Sequence, residues 1–250
     1  MRIAVMSDMH GNCVALDAVL GDLEEQAVEQ IVCLGDAIQG GPQPAQVVSR
    51  LRALHCPVVL GNADAWLLSG EDTGAEQIDA DRLRMMHDIR LWTLAQLSAE
   101  DRAFIATFPR TIELDLGSGG RLLAYHGSPH SFDDIILPDI PQEQLAAFLH
   151  GHSADVYCGG HTHVQFVRRI GPGPEFHFNP GSVGLAYSHH QPAEDFQVDP
   201  WAEYAVLTVE GSRFALEFRR VPFDVAVLVS IYRQSGRPHS ASAIAQHRGR

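Results

Sequence analysis

Five short polar segments, each close behind an apolar run, constrain this chain more than any other feature. The runs, which read as buried strands, are Ile3 to Met6, Ile31 to Leu34, Val58 to Leu60, Leu122 to Tyr125 and Val156 to Cys158. The polar segments are Asp8-Met9-His10, Gly35-Asp36, Gly61-Asn62, His126-Gly127 and Gly160-His161-Thr162-His163. In an open α/β sheet, ligands bind outside the carboxyl ends of the strands. Strands that end side by side in one sheet would bring two Asp, one Asn and four His to a single rim.

These residue types predict a metal site. Imidazole and carboxylate ligands without a nearby thiolate suit Mn, Fe, Zn, Co or Ni, and seven ligands exceed what one tetrahedral site can use. Two ions that share Asp36 as a ligand would account for all seven residues. The first ion would then also be held by Asp8, His10 and His163, and the second by Asn62, His126 and His161. Two-metal sites generate hydroxide at neutral pH and clamp the oxygens of phosphorus, so the pattern predicts phosphoester hydrolysis by attack of a metal-bound hydroxide.

Taken singly, most of these signals have a structural interpretation. Gly-Asp and Gly-Asn dipeptides are common in tight turns, and an isolated His126 would be typical of a hydrogen-bonded structural histidine. The His161 and His163 pair is more specific, because alternate residues of a strand point to the same face. The combination of all the segments in this order is what favours a metal centre.

The ordered motifs resemble those of the calcineurin-like metallophosphoesterases, and more closely a small bacterial phosphodiesterase-like branch of them. Asn179-Pro-Gly-Ser-Val-Gly184 and the stretch from Tyr204 to Pro222 are similar to that branch, so the likeness covers approximately residues 1–225. The resemblance implies an α/β fold, the four-layer α/β/β/α sandwich of two mixed β-sheets flanked by helices.

The chain departs from this family at one functional position. Many members have His after the Asn, where this chain has Ala63, although Asp64, which in the family orients that His, is retained. The resemblance implies catalytic roles for Asn62, Asp64 and His126. Without a dedicated acid, we expect substrates whose leaving group needs little protonation, such as aryl phosphodiesters, cyclic nucleotides or pyrophosphate-linked nucleotides.

Two other functions remain open at this stage. One is a phosphomonoesterase or protein phosphatase, which would be expected to use the absent His. The other is a non-catalytic protein-interaction scaffold with the same fold, which would need none of the metal ligands. His87 and His130 are candidates for an alternative proton donor, and His189 or His190 for a phosphate contact.

The amino-acid composition limits which classes of molecule the chain is expected to bind. The chain has 250 residues, 45% of them hydrophobic, with 18 Lys and Arg against 31 Asp and Glu and a formal net charge of −13. This balance argues against a groove for long nucleic acid, whose backbone demands a basic surface. A small phosphoester substrate remains compatible with it, and the sequence leaves the oligomeric state undetermined.

The remaining patterns predict the compartment and the domain organisation. Four cysteines without a Cys-x-x-Cys pair, a short apolar start and no long apolar stretch predict a cytoplasmic protein with no membrane span. We expect a single domain over residues 1–225 with a helical cap insertion at about 76–106. Residues 226–250 are expected to form a C-terminal tail, frayed or weakly helical after Ser235.

Overall fold

The computed structural model describes residues 1–72, 78–192 and 195–247, which contain two mixed β-sheets. The strands of the first sheet are β1 (Arg2–Met6), β2 (Gln30–Cys33), β8 (Trp201–Glu210) and β9 (Arg213–Pro222). Their order is β2-β1-β8-β9, in which β1 and β2 are parallel and the other neighbours antiparallel.

The second sheet holds β3 (Thr111–Asp115), β4 (Arg121–Tyr125), β5 (Val156–Cys158), β6 (Phe166–Arg169) and β7 (Phe176–Asn179). Their order is β3-β4-β5-β7-β6, with parallel pairing of β5 to both β4 and β7. Strands β3 and β4 form an antiparallel hairpin in which Leu114 is opposite Leu122. The alternating pattern of this segment and its glycine-rich turn predict that hairpin, and the structure confirms it.

Alternation along the strands separates the core into layers. In β1, Ile3 and Val5 pack between the two sheets, whereas Ala4 and Met6 face the helices. On the second sheet, Leu122 faces the first sheet and Leu123 packs against a helix. Successive strand residues point to opposite faces, so each sheet buries one face against the other sheet and one against helices.

Helices cover both outer faces. They are α1 (Cys13–Leu23), α2 (Pro44–Leu54), α3 (Asn62–Ser69), α4 (Ala80–Gln96), α5 (Ala99–Ile105), α6 (Gln142–Leu149), α7 (Val225–Gln234) and α8 (Ser240–Gln246). Leu16 and Val19 of α1 pack on the first sheet, and Leu145 and Leu149 of α6 pack on the second. The predicted arrangement of two mixed sheets flanked by helices is confirmed.

The run from Val58 to Leu60 differs from its prediction as a strand. It makes only an isolated parallel bridge, between Val58 and Cys33. Pro57 has no N–H to extend the pairing, and the N–H of Leu60 donates to the carbonyl of Pro109 rather than to β2. The segment still directs the chain to the same edge of the sheet, because α3 begins directly after it.

The C-terminal segment contains two helices that pack on the layer over the first sheet. Leu228 and Tyr232 of α7 are buried in the helical layer over the first sheet. Beyond Ser235, α8 follows, and Gln246 accepts a backbone hydrogen bond from Val198. Arg237 donates from Nε to the carbonyl of Gly40, 2.5 Å away. Of the two predicted states of this tail, frayed or weakly helical, the helix over 240–246 agrees with the second, and positions 248–250 lie outside the described residues.

The predicted cap insertion corresponds to α4 and α5, with residues 76 and 77 outside the described ranges. Most residues of helix α4 are exposed or partly buried, and Leu94 and Leu97 at its end contact the core of the first sheet. Within the described ranges, no helix is both long and apolar enough to cross a membrane. All four cysteines are free thiols, three of them buried.

Candidate metal centre

The structure brings the predicted ligands together at one edge of the sandwich. Asp8 and His10 follow β1 and Asp36 follows β2, whereas His126 follows β4, and His161 and His163 follow β5. Asn62 is the first residue of α3. The shared rim therefore belongs to two facing sheets, and not to the single sheet that simple strand adjacency predicts. The β1–β2 pair and the β4–β5 pair are both parallel, so the carboxyl ends of all four strands contribute to it.

Two clusters of potential ligands form there. Asp8, His10 and His163 make the first, and Asp36, His126 and His161 make the second, with the ligand atoms of each cluster within 4.8 Å of one another. Oδ2 of Asp36 lies 3.4 Å from Nε2 of His126 and 4.0 Å from Nε2 of His10. The Asp36 carboxylate thus lies between the clusters, the position that the sequence predicts for a shared ligand.

Asn62 lies beside the second cluster. Its Oδ1 is 3.0 Å from Nε2 of His126. Helix α3 begins at Asn62 because Gly61 is extended and ends the preceding segment. A Cβ on Gly61 would lie 2.1 Å from Oδ1 of Asp36, so only glycine allows this close approach of α3 to Asp36.

Backbone carbonyls fix the tautomers of three histidines. Nδ1 of His10 lies 3.0 Å from the carbonyl of Gln39, and Nδ1 of His163 lies 2.8 Å from that of Leu185. Nδ1 of His126 lies 2.8 Å from the carbonyl of Leu34. Carbonyl oxygens only accept hydrogen bonds, so Nδ1 carries the hydrogen in each ring and the neutral ring presents a lone pair at Nε2.

These Nε2 atoms point at other acceptors. The nearest carboxylate oxygen to Nε2 of His163 is Oδ1 of Asp8, 3.2 Å away. Among the described residues Oδ1 of Asp8 is buried without a hydrogen bond. Nε2 of His126 faces oxygens of both Asn62 and Asp36. Lone pairs of nitrogen and oxygen converging in a buried space are the environment of a cation, and ligating histidines characteristically donate their other N–H to a carbonyl. The residues present therefore suit bound divalent ions.

The charges of the cluster perturb its pKa values. Burial alone would lower the pKa of His126, but the Asp36 carboxylate outweighs it and raises that pKa to about 9. Burial would raise the pKa of Asp36, but the imidazoles of His126 and His10 bring it below its usual range. The carboxylates of Asp8 and Asp36 are therefore anionic at neutral pH and hold positive charge beside them.

The backbone at this site is strained. Positive φ values occur at Asp8 (56°), His10 (47°), Asp36 (49°), His161 (68°) and His163 (58°). Asp and His tolerate the left-handed region better than most residues, but each such residue still costs on the order of 1–3 kcal/mol. Such strain concentrates at functional sites, because folding alone gains nothing from it.

The segment Asn179 to Gly184 supports the first cluster, a role that its sequence does not reveal. The hydroxyl of Ser182 donates to the carbonyl of Asp8 at 2.8 Å, and the N–H of Gly184 donates to the same oxygen at 3.0 Å. A Cβ on Gly184 would lie 1.8 Å from the carbonyl of Met9. This segment therefore packs directly against the turn that carries Asp8 and His10.

Asp64 is buried, and its carboxylate is engaged by the backbone. Oδ2 accepts from the N–H of Ala37 and Oδ1 from that of Ile38, both at 3.0 Å. Burial and the nearby charge of Asp36 raise the pKa of Asp64 to about 7. These contacts tie α3 to the turn after Asp36 and give Asp64 a positioning contact, while its predicted catalytic role stays a prediction.

The other candidate histidines have different surroundings. His87 pairs with Asp72 at 2.8 Å, and Nε2 of His130 lies 2.8 Å from the carbonyl of His150. Nε2 of His189 lies 2.7 Å from the carbonyl of Thr162, and its ring stacks on Tyr187. His190 is exposed. Of these four, His189 contacts the segment that carries the metal ligands.

This chain is similar to known phosphoesterases in sequence. Residues 1–211 match the model of the calcineurin-like phosphoesterase superfamily domain. The phosphodiesterase YfcE of Escherichia coli is 26% identical over 196 residues, which cover 74% of this chain and 80% of that protein. An uncharacterized protein of Methanocaldococcus jannaschii is 29% identical over 238 residues, 89% of this chain and 88% of that one.

A solved structure extends the similarity to nearly the full length. The crystal structure of a metallophosphoesterase from Sphaerobacter thermophilus has a TM-score of 0.74 and 26% identity, with 98% of each chain covered. The family match includes every predicted ligand, because it spans residues 1–211. The chain belongs to the calcineurin-like phosphoesterase superfamily.

Proposed function

We propose that the chain is a dinuclear metal-dependent phosphoesterase that hydrolyses small phosphodiesters or nucleotide phosphoesters. The observation that carries the proposal is the set of inward-facing lone pairs of His10, His126 and His163, each fixed by a carbonyl on the opposite side of the ring. These rings face the carboxylates of Asp8 and Asp36, and Oδ1 of Asp8 accepts no hydrogen bond within the described residues, so the arrangement favours a bound cation.

Asp36 would be the shared ligand, because its Oδ2 lies within 4.0 Å of Nε2 in both His10 and His126. Asp8, His10 and His163 would complete the first ion, and Asn62, His126 and His161 the second. Bound divalent ions of this kind polarise a phosphoester and generate a nucleophile from water at neutral pH. Mn, Fe, Zn, Co and Ni are the candidates for this ligand set.

Other groups of the protein orient the candidate metal ligands. The carbonyls of Gln39, Leu34 and Leu185 hold the imidazoles in the ligating tautomer. The N–H of Ala63 donates to Oδ1 of Asp36 at 2.8 Å and fixes the carboxylate that both clusters share. Asn62 and His126 would contact a substrate oxygen at the second cluster; the proposal is supported by the 3.0 Å distance between Oδ1 of Asn62 and Nε2 of His126.

Ala63 affects which leaving groups we expect. Its methyl group donates no proton, so a leaving group that is stable as an anion should be favoured over an alkoxide. The expected preference for diesters over monoesters is supported by the related phosphodiesterase YfcE. The formal charge of −13 further favours a small ester over a long nucleic acid.

The test is turnover after loading the purified chain with Mn²⁺. We expect bis-p-nitrophenyl phosphate to be hydrolysed with a higher kcat/KM than p-nitrophenyl phosphate. The reverse order would support a monoesterase. Hydrolysis of neither, with ions bound, would support the scaffold function and contradict the proposal.

A further inference from the structure

A second cavity lies next to the first cluster. It measures about 370 Å³ and is lined by His163, by Tyr187 and His189 of the following loop, and by Trp201, Glu203 and Arg220 of β8 and β9. Small-molecule sites typically measure about 300–1,000 Å³. His163 belongs both to this cavity and to the first cluster of candidate ligands.

The topology explains why the cavity lies at the edge of the sheets that carries the candidate metal ligands. Strand β8 runs antiparallel to β1, with Ala205 opposite Val5. The residues that begin β8 therefore lie beyond the end of β1, on the side where Asp8 follows. Glu203 is directly opposite Arg220 on β9, so both side chains lie at that end of the sheet.

One wall of the cavity is aromatic and held in place. The rings of Tyr187 and His189 stack with centroids 4.7 Å apart and planes 15° apart. Phe196 packs edge-on against Tyr187 at 4.9 Å, and His163 packs on it at 5.5 Å. On β8, the guanidinium of Arg220 lies 5.3 Å from the centroid of Trp201. Rings fixed in this way bind a flat ligand at low entropic cost.

The opposite edge carries the carboxylates of Asp199 and Glu203 and the guanidinium of Arg220. Glu203 is 5% exposed, and its Oε1 accepts hydrogen bonds from Nε of Arg220 at 2.9 Å and Nε1 of Trp201 at 3.4 Å. Oε2 of Glu203 and both Nη atoms of Arg220 form no hydrogen bond with any residue that the structure describes. A carboxylate oxygen beside guanidinium donors complements an edge that carries N–H next to C=O.

We propose that this cavity binds the base of a nucleoside phosphoester whose phosphate lies at the metal clusters. The inference rests on the proposed phosphoesterase function and specifies its substrate class. Aromatic walls receive the flat base, and Glu203 and Arg220 contact its polar edge. Guanine is the most informative probe, because its N–H groups lie beside a carbonyl.

The experiment compares GMP with ribose 5-phosphate, which share the sugar phosphate and differ in the base. Calorimetric titration of the Mn²⁺-loaded protein should give tighter binding of GMP by roughly 5- to 100-fold, the usual worth of stacking a base on an aromatic ring. Trp201→Leu should reduce that ratio at least threefold, whereas Trp201→Phe should retain most of it. Trp92→Leu, on α4 and outside this cavity, is the matched control and should leave the ratio unchanged.

Binding and turnover separate the two hypotheses. Equal affinities for GMP and ribose 5-phosphate, or a ratio that Trp201→Leu leaves unchanged, would overturn the base site even if bis-p-nitrophenyl phosphate is hydrolysed. A Trp201-dependent preference for GMP without any turnover would support the cavity and contradict the proposed function. If Trp201→Leu melts early and loses its ions, Arg220→Met, at an exposed position, replaces it, with the same fall in the ratio expected.

Discussion

Nε2 of His10 lies 3.2 Å from Nε2 of His163, although the two residues are 153 positions apart in the chain. Both rings use Nδ1 to donate to a backbone carbonyl, so two lone pairs face each other beside the Asp8 carboxylate. Only a proton or a metal ion makes this contact favourable. A buried proton between two imidazoles would satisfy one pair of atoms, whereas a divalent ion would also satisfy Oδ1 of Asp8, which has no hydrogen bond in the described chain.

The first prediction concerns Asp36. Replacing it by Asn keeps the shape of the side chain but removes the charge that lies between the clusters, so Asp36→Asn should lose both ions. Asn62→Ala should weaken mainly the second ion, because Oδ1 of Asn62 lies 3.0 Å from Nε2 of His126, which belongs to the second cluster. Elemental analysis of the purified variants measures this, and we expect Asp36→Asn to lose roughly 100-fold or more in activity, since even outer partners of metal ligands are worth 10–100-fold. Two ions and normal activity in Asp36→Asn would remove Asp36 from the shared position.

The second prediction concerns the close packing of Gly61 on Asp36. A Cβ at position 61 would lie 2.1 Å from Oδ1 and 2.3 Å from the backbone nitrogen of Asp36. Since the backbone cannot yield without moving the turn, Gly61→Ala should displace Asp36, with an overpacking cost of about 1–3 kcal/mol. Ion content, activity and thermal unfolding should all fall. Gly21→Ala is the control, because nothing lies within 4 Å of its Cβ and Ala in a helix interior should stabilise α1 by about 0.5–1 kcal/mol. Full ion content in Gly61→Ala would contradict the packing argument.

Much of the site could be predicted because its signals are local. The apolar runs before Asp8, Asp36 and His126 correspond to β1, β2 and β4. His161 and His163 also meet the site, but they lie beyond the end of β5 with positive φ and in different clusters, so the strand alternation expected of them is wrong. Strand ends and ligand types are properties of a few consecutive residues. They are sufficient to indicate which side chains meet.

The parts that could not be predicted depend on contacts between distant segments. The carboxylate of Asp64 accepts from the backbone of Ala37 and Ile38, which no local pattern encodes. Helix α8 packs Ala243 and Ile244 against the helical layer over the first sheet, a contact that its small polar sequence does not reveal. The cavity at Trp201 and Glu203 arises only from the antiparallel register of β8 with β1 and β9.

The third prediction concerns the pH dependence of stability away from the metal centre. Asp22 on α1 accepts two hydrogen bonds from Arg219, at 2.8 and 2.9 Å, and one from the hydroxyl of Tyr204 at 2.5 Å. The bonds from Arg219 hold the pKa of Asp22 below its usual value. A carboxyl whose pKa is lower in the folded state stabilises the fold above its unfolded pKa of about 3.9. That stabilisation is lost as pH falls through the folded pKa.

Asp22→Asn should therefore lower the free energy of unfolding by about 1–3 kcal/mol at pH 7, and the difference from wild type should shrink below about pH 4. Urea denaturation at several pH values measures it. Asp17→Asn is the matched control: Asp17 also pairs with an arginine, Arg50, but both side chains are 46% exposed, so its effect should stay below about 1 kcal/mol. A pH-independent loss in Asp22→Asn would show that packing, and not charge, stabilises this contact.

The last prediction concerns Ala63→His. An imidazole there would directly follow Asn62, the first residue of α3, at the position where the family resemblance implies a histidine. General acid catalysis is typically worth 10²–10⁴-fold when fully engaged, and most for leaving groups of high pKa. Asp64 is the expected partner for such an imidazole, but both of its oxygens already accept backbone hydrogen bonds. We therefore expect a gain below that range, confined to alkyl esters.

The measurement is kcat/KM for methyl and nitrophenyl phosphodiesters in wild type and Ala63→His at equal ion content. Ala63→Gln is the control, because its side chain is polar and of similar length but titrates no proton. A rise in the alkyl-to-aryl ratio with His and not with Gln would indicate that the new imidazole protonates the leaving group despite the engaged Asp64. An unchanged ratio would mean that another group already supplies the proton or that protonation does not limit the rate. His189 would then be the first residue to replace, because its ring is held at Thr162, between the ligands His161 and His163.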